Sequence, residues 1–159
     1  MNTKKGDVFM NSTVTTYENI TLITLHNVPA DIGYIADVFT KIAAMDIDVD
    51  MISIAPSQST TTSVSFTIND DDLIKTISFT SGLEDGSVKS VVSSANCKIS
   101  VDDDGMVGCP GVAAKVFSAV AGSQTEIRLV TTSETQISIL VTREDFDAAY
   151  AAVKEACIN

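Results

Sequence analysis

The 159-residue sequence has no tryptophan, one histidine, three prolines and three cysteines. It also lacks a run of ~20 apolar residues, the length a membrane-spanning helix needs. The polar start Met1–Asp7 carries no signal-peptide core, so a cytoplasmic protein is expected. No basic stripe is present: ten Lys and Arg stand singly against 21 Asp and Glu, for a net charge of −11. That field repels phosphate backbones and anionic lipid, which disfavours nucleic acid and membrane surfaces as partners. Cys97, Cys109 and Cys157 form no CxxC pair, and buried free thiols without a metal or redox role are expected. His26 has no second histidine nearby, so neither a zinc site nor a Ser-His-Asp triad can be assembled from sequence neighbours, and a structural role is expected for it. The loops GxxxxGK[ST] and GxGxxG and the motifs HExxH and GxSxG are all missing, so no catalytic residue and no cofactor is nominated. Two small-residue turns at helix starts, Asn27–Tyr34 and Gly105–Val112, are expected instead to present backbone N–H groups suited to the carboxylate of a small ligand.

What the chain does have is a duplication. Gly33, Val38, Phe39, Ala43, Met51 and Ile52 recur seventy-eight residues later as Gly111, Val116, Phe117, Ala121, Leu129 and Val130. In each copy a turn containing Gly leads into an amphipathic helix, with Ile35, Val38, Phe39 and Ile42 on one face and Val112, Val116, Phe117 and Val120 on the other copy's face. Short β-rich segments follow.

In chain order, strands are expected over Met10–Tyr17 and Ile20–His26. A turn with Pro29 leads to a helix capped by Asp31 and running to about Met45. Strands at Asp46–Ile54 and Ser63–Asn69 come next. Asp70, Asp71 and Asp72 are expected to cap and begin a helix rather than bind a cation. A strand at Ser87–Ser94 completes a βαββαβ module. The second copy reads as strand Cys97–Val101, a turn over Asp102–Gly111, helix Val112–Ala121, hairpin Glu126–Ser133 and Gln136–Thr142, and helix Asp145–Ala156. The triple Asp102–Asp104 lacks the ligand alternation of an EF-hand and reads as a solvated turn. This copy is short of a fourth strand, which the extra strand at residues 10–17 is free to supply.

The segments DVDMISIAP (Asp48–Pro56) and TTSVSFTIN (Thr61–Asn69), and above all GVAAKVF (Gly111–Phe117) with IRLVTTSETQISILV (Ile127–Val141), resemble the tandem ACT domains that form the regulatory half of aspartokinase. The resemblance covers about residues 10–157. It implies an α+β fold of two ferredoxin-like βαββαβ ACT modules, interleaved: 18–94 first, then 95–159 with the strand at about 10–17 completing it. It further implies a homodimer through ACT sheets, lysine or threonine as effector, and an aspartokinase catalytic domain or subunit as partner, since no catalytic domain is in this chain.

Carried over by position, the resemblance nominates Val28, Asp31, Gly33, Tyr34 and Ile35 on the turn and helix, with Val49, Asp50 and Ile54 on the following strand. Asp31 and Asp50 are the candidates for the effector's amino group, and the backbone at Gly33–Ile35 for its carboxylate. A β-branched residue at Gly33 is expected to damage the turn if left-handed geometry is needed there. Ile54 stands where relatives place Gln or Thr, which removes a hydrogen-bonding group from the expected pocket and leaves an assembly module without ligand as the alternative. An acyl-phosphatase-like enzyme on the same architecture would want an Arg over a phosphate loop; Arg128 and Arg143 lie on a strand and a hairpin end.

Overall fold

The computed structural model describes residues 12–57, 59–83 and 86–158. Its elements are β1 (Thr13–Pro29), α1 (Ile32–Ala44), β2 (Ile52–Ile54), β3 (Thr61–Asn69), α2 (Leu73–Leu83), β4 (Lys89–Asp102), α3 (Val112–Gly122), β5 (Ile127–Thr132), β6 (Gln136–Thr142) and α4 (Phe146–Ile158). The fold is α+β, and the sheet pairings β1–β3, β2–β3, β4–β6 and β5–β6 are all antiparallel. The chain divides into two compact units, Asn19–Ala95 and the described residues up to Glu18 together with those from Asn96 on.

In the 19–95 unit the strand order is β2-β3-β1-β4. Alternation decides its core: Ile23 and Leu25 of β1 face the same side as Val64, Phe66 and Ile68 of β3. Ile35, Val38 and Ile42 of α1, at helical spacing, pack onto them. Phe39 meets the Phe66 ring edge-on at 5.5 Å.

In the other unit the order is β1-β4-β6-β5. Cys97, Ile99 and Val101 of β4 and Ile137, Ile139 and Val141 of β6 alternate into a core closed by Val112, Val116 and Val120 of α3 and by Phe146, Ala149, Val153 and Cys157 of α4. On the reverse face Ser100 and Ser138, opposite each other in register, share a buried hydrogen bond of 2.7 Å. Burial pushes the Cys157 thiol up to about 11, with Lys115 opposing and Asp103 adding. Burial likewise raises Cys97, against the Arg143 guanidinium.

Four boundaries differ from the sequence reading. The two strands expected before α1 are one strand, β1; positions 10 and 11 of the first lie outside the described residues. Asn19 (φ 59) and Asn27 (φ 57) absorb the irregularity by taking left-handed geometry, and the register shifts between Leu25 and Val28. The strand expected over Asp46–Ile54 is regular only at Ile52–Ile54, although Asp50 N–H still donates to the Thr67 carbonyl at 3.2 Å. The strands expected at Ser87–Ser94 and Cys97–Val101 are continuous as β4, because Ala95 turns left-handed (φ 56) without ending the strand. Finally, Asp70–Asp72 form a 3-10 turn of their own, capped by Asn69, whose side chain accepts from Asp71 N–H.

The cysteine expectation holds for Cys97 and Cys157, which are buried and free; Cys109 is also free but only partly buried. His26 is exposed and reaches Ser63 Oγ at 3.1 Å. No helix among the described residues is long and apolar enough to cross a membrane.

Candidate functional site

Asp31 caps α1 as its residue type dictates. Its backbone is extended and Oδ1 accepts from Gly33 N–H at 2.9 Å. The α1 N-terminus therefore already holds a carboxylate. Gly33 is not left-handed, and a Cβ built on it would stand 3.4 Å from Asp31 Oδ1, an ordinary contact. The turn does not require glycine there.

The nominated residues separate into two groups. Val28 and Ile35 belong to the buried core of the 19–95 unit, and Tyr34 and Val49 pack against it, so these four shape the site from beneath. Asp31, Gly33, Asp50 and Ile54 are exposed. Register then places them along β3. Val28 is opposite Thr62 and Ile54 opposite Val64, so Ile54 lies near the Asp31 turn, and Ala30 N–H donates to the Thr60 carbonyl at 2.9 Å. Asp50 pairs instead with Thr67, level with Leu22. Thr61, at the turn end of the β1–β3 pair, and Thr67 are separated by roughly 20 Å of strand at ~3.3 Å per residue. Register thus sets Asp31 and Asp50 of one chain toward opposite ends of β3.

The described residues also form a cavity of about 320 Å³ at the second of the two small-residue turns that the sequence offers to a carboxylate, Gly105–Val112. It is lined by Met106, Val107, Gly108 and Cys109 ahead of α3, by Gly111, Val112 and Ala113 at the start of that helix, and by Thr132 of β5, Ser133 and Glu134 of the β5–β6 turn and Ile137 of β6. The signal for it was in the repeat. Shifted by seventy-eight, Val28, Asp31, Gly33, Tyr34, Ile35 and Ile54 become Met106, Cys109, Gly111, Val112, Ala113 and Thr132, all of which line the cavity. Val49 and Asp50 become Ile127 and Arg128, which do not. The cavity is the second copy's version of the nominated turn.

The two copies differ chemically. Cys109 stands at the repeat position of Asp31, and the N-cap of α3 is Gly111 (φ 92), which makes no side-chain cap. Its first N–H groups are open to an acceptor, and the helix dipole favours an anionic one. Ile54 is replaced by the hydroxyl of Thr132, and Glu134 supplies a carboxylate across the cavity. Helix-end donors, a hydroxyl and a carboxylate around a half-apolar hollow suit a small zwitterion better than a phosphate.

Residues 99–157 match the family model described as ACT domain. The aspartokinase of Geobacillus stearothermophilus is 33% identical over 139 residues, 87% of this chain and 34% of that protein, so the chain spans about a third of the curated relative's length. Among solved structures, the regulatory subunit of aspartate kinase from Thermus flavus superposes with a TM-score of 0.81 at 29% identity, over 90% of this chain and 95% of that one. A chain of the aspartokinase alpha and beta subunits gives 0.78 at 27% identity, over 90% and 95%.

Proposed function

We propose that the chain, whose residues 99–157 match the ACT domain, is a non-catalytic amino-acid sensor of the kind carried by the regulatory region of aspartokinases, and that it controls an aspartokinase. The observation that carries this reading is that the likeness to the Thermus flavus regulatory subunit runs over 90% of this chain and 95% of that one. In this reading residues 18–94 and 95–159 are two interleaved ferredoxin-like ACT modules, and the strand at about 10–17 completes the second. The unit made of Glu18 and earlier residues with Asn96 onward supports that arrangement.

The effector is lysine or threonine, the end products whose feedback such a region serves. The nominated turn, with Asp31, Gly33, Tyr34 and Ile35 over Val28 and beside Ile54, offers it one position. Asp50, with Val49, lies toward the other end of β3 and serves an effector through a second chain of a homodimer in which sheets pair side by side. The effector acts by binding one of two conformations more tightly, and the bias passes to an aspartokinase catalytic domain or subunit in the cytoplasm.

One observation favours a different reading, an assembly module without ligand: Ile52 and Ile54 are 45% and 46% exposed on the edge strand β2, as expected of a surface that packs against another chain. A thermal-shift titration of the purified chain against the twenty amino acids separates the two. An effector at ~100 times its dissociation constant adds about 2.7 kcal/mol to the folded state. A shift with lysine or threonine alone supports the sensor; a flat panel, with a dimer in sedimentation, supports the assembly module.

A further inference from the structure

Two neighbouring strands converge on one carboxylate oxygen. Thr21 Oγ1, on β1, donates to Asp70 Oδ1 at 2.6 Å, and the Ala95 amide, on β4, donates to the same oxygen at 3.4 Å. Asp70 belongs to the 3-10 turn that leads into α2. Thr21 is fully buried, so its hydroxyl has no water to turn to once Asp70 is gone.

Close in sequence to these donors, both strands leave extended geometry without ending. Asn19, two residues before Thr21, has φ 59, and Ala95 has φ 56. Asn accepts left-handed backbone through its short polar side chain, but Ala does so against the crowding of its own Cβ, and such a residue persists only where its surroundings hold it. Asn19 and Ala95 are also the first and last residues of the 19–95 unit, so the chain enters and leaves that unit through left-handed residues. A pair of long strands that only had to form a ladder would need neither.

We propose that Asn19 and Ala95 form a flex point built into β1 and β4, and that Asp70 is its latch. With the carboxylate in place, Thr21 and Ala95 are fixed to the start of α2. When Asp70 is drawn away, both strands are released at one level, so a displacement of the α2 turn is felt by two strands at once. The inference does not depend on which effector binds, or on whether one does.

The test is amide hydrogen exchange by mass spectrometry on the intact chain, comparing peptides over residues 17–23 and 92–98 with peptides over the strand centres at Phe66 and Ile139. Asp70→Ala is expected to raise exchange at least tenfold in both former peptides while the strand centres stay within about twofold. Ala95→Gly is expected to leave the melting temperature unchanged or higher, since Gly takes this φ freely. Unchanged exchange at both peptides, or an equal rise in every strand, overturns the latch. A melting temperature lowered by Ala95→Gly overturns the flex point. Should Asp70→Ala not fold, Thr21→Val removes one of the two bonds and keeps the shape; a local rise in both peptides is then expected, and no rise overturns the proposal.

Discussion

Ser12 Oγ donates to Asp103 Oδ2 at 2.7 Å, joining residues 91 positions apart in sequence. Asp103 is 6% exposed, and its other oxygen accepts from Gly105 N–H at 2.7 Å to cap the turn that walls the cavity. One carboxylate thus ties the residue just ahead of β1 to the loop ahead of α3. Asp103→Ala takes their shared acceptor from the half-buried Ser12 hydroxyl and the Gly105 amide, and a loss of about 1–3 kcal/mol in denaturant unfolding is expected. Ser12→Ala should cost less, because the Gly105 bond survives. If both cost the same, the link to Ser12 accounts for the whole effect of Asp103.

The two glycines of the repeat should respond oppositely. Gly111 sits at φ 92, so Gly111→Ala forces an L side chain into left-handed backbone at a cost of about 1–3 kcal/mol. Gly33→Ala meets only ordinary contact inside α1 and gains helix propensity, so its melting temperature should be unchanged or higher. Thermal melts of the two variants check the contrast.

Removing the Asp31 side chain by Asp31→Ala takes the cap from Gly33 N–H and should cost about 1 kcal/mol. It also frees the α1 N-terminus. In the sensor reading the same variant weakens the thermal shift given by lysine or threonine. A stability loss with an undiminished shift would remove Asp31 from the amino-group role.

The thiols make a prediction about alkali. The Cys157 thiol titrates near 11 in the folded chain and near its ordinary 9.0 when unfolded, so between these values the unfolded chain has lost a proton that the folded chain keeps. The contribution of Cys157 is therefore complete below pH 9 and lost as pH rises toward 11, with a span of roughly 2–3 kcal/mol. Cys97 is shifted the same way by burial. Urea unfolding at pH 8 and pH 10.5, for the parent and for Cys157→Ala, should show a shallower fall in the variant. At neutral pH a thiol reagent should label Cys109 first and the buried pair only on unfolding.

Much of this was legible in the sequence because local chemistry and tertiary role agree. Asp31 caps because Asp at that position outcompetes water for the Gly33 amide, and β6 runs over Gln136–Thr142 as its alternation requires. The errors fall where a single residue overrides its neighbours. Asn19, Asn27 and Ala95 take left-handed backbone inside strands, which no propensity reports, so β1 and β4 each read as two pieces. The cavity at Cys109 and Thr132 is legible in part: Gly105–Val112 stands out as a small-residue turn at a helix start, whereas Thr132, Ser133 and Glu134 join it only through the fold. The separation of Asp31 from Asp50 follows from strand register, which pattern alone leaves open.

The unit that takes both early and late residues has a consequence for synthesis on the ribosome. Thr13–Glu18 leaves the exit tunnel early, yet the rest of its unit begins at Asn96. The 19–95 unit can close first, and the early strand segment must wait for the rest of its unit until the residues from Asn96 on have been translated. Its composition suits the delay. TVTTYE carries three threonines and a glutamate around one valine and one tyrosine, enough to pair in a sheet and too polar to cluster with other nascent chains while it waits.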